Sequence, residues 1–163
     1  MIPQVLKNLN AFVDGRGYAG RVTQLTPPEL SLNTEEYRGG GMDGVIEMDM
    51  GMEAMEAAVQ MPEFDADMAR GFGRVLPMTF RGAFEDERGE VSTVVISLRG
   101  KFKGLDAGDW EPGARAEINH TMAVHYYRLE IDGQLVHEID IENMTRVING
   151  TDQLAAQRAA LGM

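Results

Sequence analysis

The run from Arg115 to Ile131 constrains this chain more than any other stretch. Polar side chains recur at every second position through Arg115, Glu117, Asn119 and Thr121, with apolar or small residues between them. A period of two is the signature of a β-strand with unlike faces. The polar set then changes parity, falling at Arg128, Glu130 and Asp132. One extra residue in a strand moves every later side chain to the other face, so the slip predicts a β-bulge near His125 to Tyr127. A strand of this length needs neighbours on both sides, which points to an all-β architecture.

Other segments read the same way. Ala11–Val13 and Tyr18–Thr23 flank Asp14-Gly15-Arg16-Gly17, a hairpin signal. Glu29–Tyr37 alternates through Leu30, Leu32 and Thr34 and ends at the glycine-rich loop Arg38–Gly44. Val45–Met50 places Glu47 and Asp49 on one face and Ile46, Met48 and Met50 on the other. Ala54–Met61 is its expected partner strand, turning near Gly51. Met78–Phe84 and the β-branched run Val91–Lys101 follow, joined at Glu85–Gly89. Leu135–Ile141 should pair back on the long strand. A three-residue loop Asp132-Gly133-Gln134, which opposes Ile131 to Leu135 and Tyr127 to Ile139, keeps apolar residues together better than a two-residue loop does. Two helices are expected. One lies within Pro62–Val75, capped by Asp65, with Met68, Phe72 and Val75 on one stripe; the other is Asp152–Leu161, capped by Thr151, with Leu154, Arg158 and Leu161 on one stripe. The sum is a mostly β fold, a sandwich or small barrel, with one internal α-helix and a short C-terminal helix, in a single domain spanning 1–163.

Composition narrows function mainly by exclusion. The 163 residues include 26 acidic and 15 basic side chains, a net charge of -11, which is a poor endowment for gripping phosphates. There is no cysteine, so disulfides, thiolate metal sites and cysteine nucleophiles are ruled out. No basic-then-apolar leader opens the sequence, and no run reaches the roughly 20 apolar residues of a membrane helix. The expectation is therefore a protein made in the cytoplasm, with no signal peptide and no membrane anchor. Twelve methionines suit adaptable contacts in cores and between subunits.

No constellation for chemistry emerges. His120, His125 and His137 are scattered, and a metal site needs three or four converging ligands. Glu47, Asp49, Glu53 and Glu56 lie on a plain alternating strand and turn, which reads as a solvated acidic face rather than an acid–base pair. Gly39-Gly40-Gly41 lacks the Gly-Lys-Ser/Thr ending of a phosphate loop. Trp110, the one tryptophan, lies in the Pro/Gly loop 106–113, either as an interface anchor or as a cover for the sheet end. The residues thus predict no catalytic group, no metal and no cofactor. A ligand-binding β-barrel with an apolar pocket and a carboxylate-pair hydrolase are the readings from other classes.

Ordered motifs go further. Asn8-Leu9-Asn10-Ala11-Phe12-Val13-Asp14-Gly15, Thr34–Gly44 and Asp49–Ala57 resemble the N-terminal half of the major tail tube proteins of contractile-tailed phages and R-type pyocins. Leu98-Arg99-Gly100, Asp106–Trp110, Tyr126–Gly133, Glu138-Ile139-Asp140 and Ile148–Leu154 resemble the second half. The stretch Met61–Leu76 fits least well. The resemblance implies homohexameric rings stacked helically into a hollow tube, each subunit lending strands to one inner β-barrel. It implies sheath, tape-measure, baseplate and tail terminator proteins as partners, residence in a virion tail or tailocin particle, and, in a phage, DNA as cargo that does not stick. The ring protein of type VI secretion is a related alternative. On this reading Glu47, Asp49, Thr93, Ser97 and Arg99 are expected to line the lumen. Arg38, Gly39, Gly40, Gly41, Met42, Asp43, Met48, Met50, Trp110, Leu154 and Leu161 are expected at contacts between subunits and rings, as are the termini.

Overall fold

A computed structural model of the chain describes residues 2–163. The fold is mostly β, as expected, and is organised around the two longest strands. β1 (Val5–Val13) turns through Asp14-Gly15, both at positive φ, into β2 (Arg16–Gly17). The expected hairpin is present, but its return strand is only two residues long, and Tyr18–Thr23 is loop rather than strand. β3 (Gln24–Thr26), β4 (Leu32–Tyr37), β5 (Ile46–Met52) and β6 (Met55–Met61) follow. The short helix α1 (Ala66–Arg70) leads to β7 (Val75–Glu85), β8 (Val91–Asp106), β9 (Ile118–Ile131) and β10 (Gln134–Asp140). β11 (Thr145–Ile148), β12 (Thr151–Asp152) and α2 (Ala155–Ala160) close the chain.

Ten strands form one antiparallel sheet in the order β12-β11-β10-β9-β8-β7-β1-β2, with β6 on the first half of β9 and β3 on β6. The parity slip read from the sequence is a real bulge. Arg99 faces Tyr126 and Gly100 faces Val124, which leaves His125 as the extra residue of β9. Before the bulge β9 pairs with β6; after it, with β10. The bulge also explains Gly100, where a Cβ would stand 2.0 Å from the Ala123 carbonyl oxygen. Ala57, Val59 and Met61 of β6 share one buried cluster with Ala11 and Val13 of β1 and Met78 and Phe80 of β7. Because β6 and β1 are not hydrogen-bonded neighbours, the sheet must fold over on itself, with the core between β3–β6 and β1–β7–β8.

Several local expectations need correction. β5 pairs with β4, not with the segment Ala54–Met61. Gly51, at φ 104, kinks β5 where Met50 and Gly51 oppose the single residue Asn33, so the chain after it leaves the hairpin and joins β9. Together β4 and β5 make a separate two-stranded sheet. The internal helix has five residues, not the whole of Pro62–Val75. Asp65 caps it as expected, accepting from the Met68 N–H at 2.9 Å, but Gly71 ends it and Val75 opens β7, which leaves Phe72 and Val75 exposed. Thr151 belongs to β12 rather than capping α2, and the Leu154 amide is satisfied by the Asp152 carboxylate. α2 buries no side chain: of its expected stripe Leu154 and Arg158 are half-buried against the sheet, while Leu161 is exposed. The β9–β10 loop is the two-residue Asp132-Gly133, since both residues reach positive φ and Gln134 faces Ile131. An extra residue at Val136 then restores the expected pairing of Tyr127 with Ile139.

Candidate functional site

The residues singled out by sequence fall into three places. Thr93, Ser97 and Arg99 lie at one parity of β8, opposite Ala83, Thr79 and Pro77 of β7 and, for Ser97 and Arg99, Arg128 and Tyr126 of β9. This face is the reverse of the one that buries Phe80 and Leu98. It forms an open, polar wall across β1, β7, β8, β9 and β10, with Asn8, Asn10 and Arg81 continuing it. Its charge is mixed rather than acidic. The Arg128 guanidinium lies 2.7 Å from Glu130 and 3.9 Å from Glu138, and Arg99 stacks over the Tyr126 ring at 5.7 Å.

Glu47 and Asp49 are elsewhere, on the β4–β5 hairpin. Cross-strand partners share a face, so Thr34, Glu36, Glu47 and Asp49 make its polar side and Glu35, Tyr37, Ile46 and Met48 its apolar side. Every residue of β4 and the first five of β5 are exposed. The alternation that reads as one face toward a core therefore meets no core within the subunit. At the tip, Arg38–Asp43 is an ordered turn: the Met42 N–H donates to the Gly39 carbonyl, and the Arg38 Nε to the Met42 carbonyl.

Asp49 is held at the base of the hairpin. It accepts from the Gly51 N–H at 2.8 Å and pairs with Arg146 of β11. The Gly51 amide and then the Arg146 guanidinium hold its carboxyl below the ordinary aspartate range. Arg146 is only 6% exposed. Its role was invisible in the sequence, because a lone arginine on a short strand carries no local signal. The pair ties the base of the hairpin to the sheet beside a cleft of about 430 Å³, lined in part by Met50, Ile139, Met144 and Leu154. Met50 and Leu154 are thus brought together, whereas Leu161 projects from the end of α2 and Trp110 lies apart from them. Trp110 is 68% exposed and packs edge-to-face on Phe64 with centroids 5.6 Å apart, its indole N–H donating to the Ala107 carbonyl.

A second buried polar group is Asp65. Besides capping α1 it accepts from the Tyr18 hydroxyl at 3.2 Å and pairs with Arg21 at 2.8 Å. Burial opposes its ionisation, but the Met68 amide, Arg21 and Tyr18 outweigh that and keep the carboxyl below its usual range. His120 is buried with its Nε2 unpartnered, and burial pushes its pKa down. No cluster of three or more His, Asp or Glu side chains that could hold a metal occurs among the described residues. No helix among them is long and apolar enough to cross a membrane.

Comparison with known proteins decides among the readings of this architecture. The profile of the family described as "Phage tail tube protein FII" matches residues 3–162. The chain belongs to the phage tail tube protein FII family. Like it, the "Tail tube protein" of Escherichia phage P2 is 33% identical over 171 aligned positions, covering 99% of each chain. The "Major tail tube protein" of Serratia phage KSP20 is 30% identical over 148 positions, 87% of this chain and 85% of that one. Among solved structures, a chain of the sheath–tube complex of an extracellular contractile injection system, in its extended state, superposes with a TM-score of 0.58. That match has 13% identity and covers 78% of this chain and 91% of that one. A chain of the sheath/tube terminator of the same system superposes at 0.60, again at 13% identity, covering 80% and 98%. As a member of this family the chain is a phage tail tube protein. The resemblance drawn from its motifs, including the poorly fitting Met61–Leu76, extends over nearly its full length.

Proposed function

We propose that six copies of this chain close into a ring, that rings stack into a hollow tube inside a contractile sheath, and that the polar wall of β1, β7, β8, β9 and β10 lines the bore. The observation that carries this is the pairing of near full-length identity to a phage tail tube protein with an open sheet face that carries no apolar core residue. Closure across subunits would also satisfy the free edge of β1. The chain works as a structural element and has no catalytic role. Sheath, baseplate, terminator and tape-measure proteins are its partners in the assembled tail.

In a phage the bore would pass DNA without holding it. Mixed charge, rather than acidic repulsion, fits the wall: Arg128 is compensated by Glu130 and Glu138, while Arg81 and Arg99 have no ion-pair partner among the described residues, so phosphates would meet isolated cations rather than a continuous basic track. Thr93, Ser97 and Arg99 belong to this lining. Glu47 and Asp49 belong to the arm, with Asp49 serving as its anchor. Negative-stain microscopy of concentrated protein tests the reading. Sixfold rings or open-bored tubes are expected, and a persistent monomer at high concentration would overturn it.

A further inference from the structure

A pocket of about 290 Å³ opens where β2, the end of α1 and the turn before β7 meet. Val13 and Leu76, both buried, give it an apolar floor. Its walls carry Arg16, Arg70 and Arg74, three of the 15 basic side chains in a chain of net charge -11. Asp14 and Asp67 also line it, so three positive charges face two negative ones and one cation is in surplus. The site shares no residue with those named on the polar wall or on the β4–β5 hairpin.

Asp67 is divided between two of the arginines. Arg16 Nη1 lies 3.1 Å from its Oδ2, and Arg70 Nη1 lies 3.2 Å from its Oδ1. One carboxylate thus holds two guanidinium groups side by side while each keeps N–H donors unused. Neither Arg74 nor Asp14 has an ion-pair partner among the described residues. The backbone that carries these groups is pinned. The Asp14 N–H donates to the Pro77 carbonyl at 3.0 Å, the Arg74 N–H to the Gly71 carbonyl at 3.0 Å, and the Phe102 N–H to the Arg74 carbonyl at 3.1 Å. An ion-pair network built only for stability would neutralise itself, and this one does not. Guanidinium groups gathered from three elements into one concave site suit a compact phosphoryl oxyanion, whose oxygens accept directed, charge-assisted hydrogen bonds. A nucleic-acid strand would need a continuous basic track instead, and so acidic a chain is poorly endowed for one.

We propose that this pocket binds a compact phosphoryl oxyanion, either free or as the terminal phosphate of a larger molecule. Asp67 holds Arg16 and Arg70 in place, and Arg74 supplies the unshared charge. The inference does not depend on the assembly reading above. Calorimetric titration of the dilute full chain with inorganic pyrophosphate, at low salt and against chloride of matched ionic strength, tests it. Saturable binding is expected. Arg74→Gln and Arg16→Gln should each weaken it about tenfold or more, the equivalent of losing one charge-assisted hydrogen bond. Arg74 is exposed and unpaired, so its replacement leaves the subunit folded. Arg74→Lys keeps the charge without the fork and should fall between parent and Arg74→Gln. Arg115→Gln, at an exposed arginine outside the pocket, should bind as the parent does. No saturable binding by the parent, or equal affinity in parent and Arg74→Gln, overturns the site. Single-stranded oligonucleotides with and without a terminal phosphate separate the two sources. Binding of the phosphorylated one alone supports a terminal phosphate, and binding of neither beside pyrophosphate supports a free oxyanion. Equal binding of both means that backbone phosphates are read, which overturns the compact site.

Discussion

The folded-over ten-stranded sheet and the β4–β5 hairpin show the same period-two patterning but bury very different amounts of it. In the sheet, Val59, Met61, Phe102 and Met122 are essentially inaccessible. In the hairpin, Ile46, Met48 and Met50 alternate just as strictly and are half exposed. The sheet thus buries its alternating pattern within one subunit, whereas the hairpin carries the same pattern with no cover inside the subunit. Alternation reports that a strand has two unlike faces. It does not report what covers them.

The sharpest way to break this contrast is to truncate equivalent apolar residues in each region. Phe102→Ala should cost the subunit about 3–5 kcal/mol in denaturant unfolding, because its cavity lies within the closed core. Met48→Ala should leave unfolding of the free subunit within about 0.5 kcal/mol of the parent while impairing tube formation. Equal costs in the free subunit would erase the distinction. Gly100→Ala comes next. Its Cβ would collide with backbone at the bulge, so a loss of about 1–3 kcal/mol, or misfolding, is expected from the same titration.

Asp65→Ala should cost about 1–2 kcal/mol, since the α1 cap is lost along with the Arg21 and Tyr18 contacts. Its pH signature has a definite sign. The folded pKa is depressed, so the stabilisation is fully present above the unfolded value near 3.8 and is lost as pH falls below it. The variant's stability should accordingly fall less steeply on acidification below about pH 4. His120 acts higher. Its folded pKa is also depressed, so the unfolded chain takes up the proton first and stability declines as pH drops through 6.5 and below. His120→Gln should flatten that part of the curve.

A smaller effect than at Asp65 is expected at the joint between the two regions. Asp49→Asn should cost the free subunit about 1 kcal/mol or less, because Asp49 is partly exposed and the pair is screened on that side. Its visible consequence should be local: faster proteolysis within Arg38–Gly44 as the hairpin loses its tie to Arg146.

The sequence made legible those features that are written locally. The His125 bulge showed itself as a parity change, and Asp14-Gly15 supplies the positive φ that a tight hairpin turn needs, whereas the two-residue turn at Asp132-Gly133 was passed over for a three-residue loop because the extra residue at Val136 was not visible. Less legible were choices made by tertiary contact. Proximity suggested that Ala54–Met61 pairs back on β5, but the kink at Gly51 and the bond from the Glu53 N–H to the Ser31 carbonyl direct the chain toward β9 instead. Helix α1 fell short because Gly71 ends it and the Phe102 carbonyl captures the Gly73 amide. At the candidate site, the faces of Thr93, Ser97 and Arg99 could be read from alternation. The link from Asp49 to Arg146 could not, being a contact across 97 positions of sequence.

Hydrogen–deuterium exchange across Leu32–Met52, compared between dilute free subunit and assembled tubes, tests the central contrast most directly. The account predicts slow exchange in β8 and β9 in both states, fast exchange in the hairpin of the free subunit, and marked slowing of the hairpin alone on assembly. A hairpin as protected in the free subunit as in the tube, or one that stays unprotected in the tube, would contradict it.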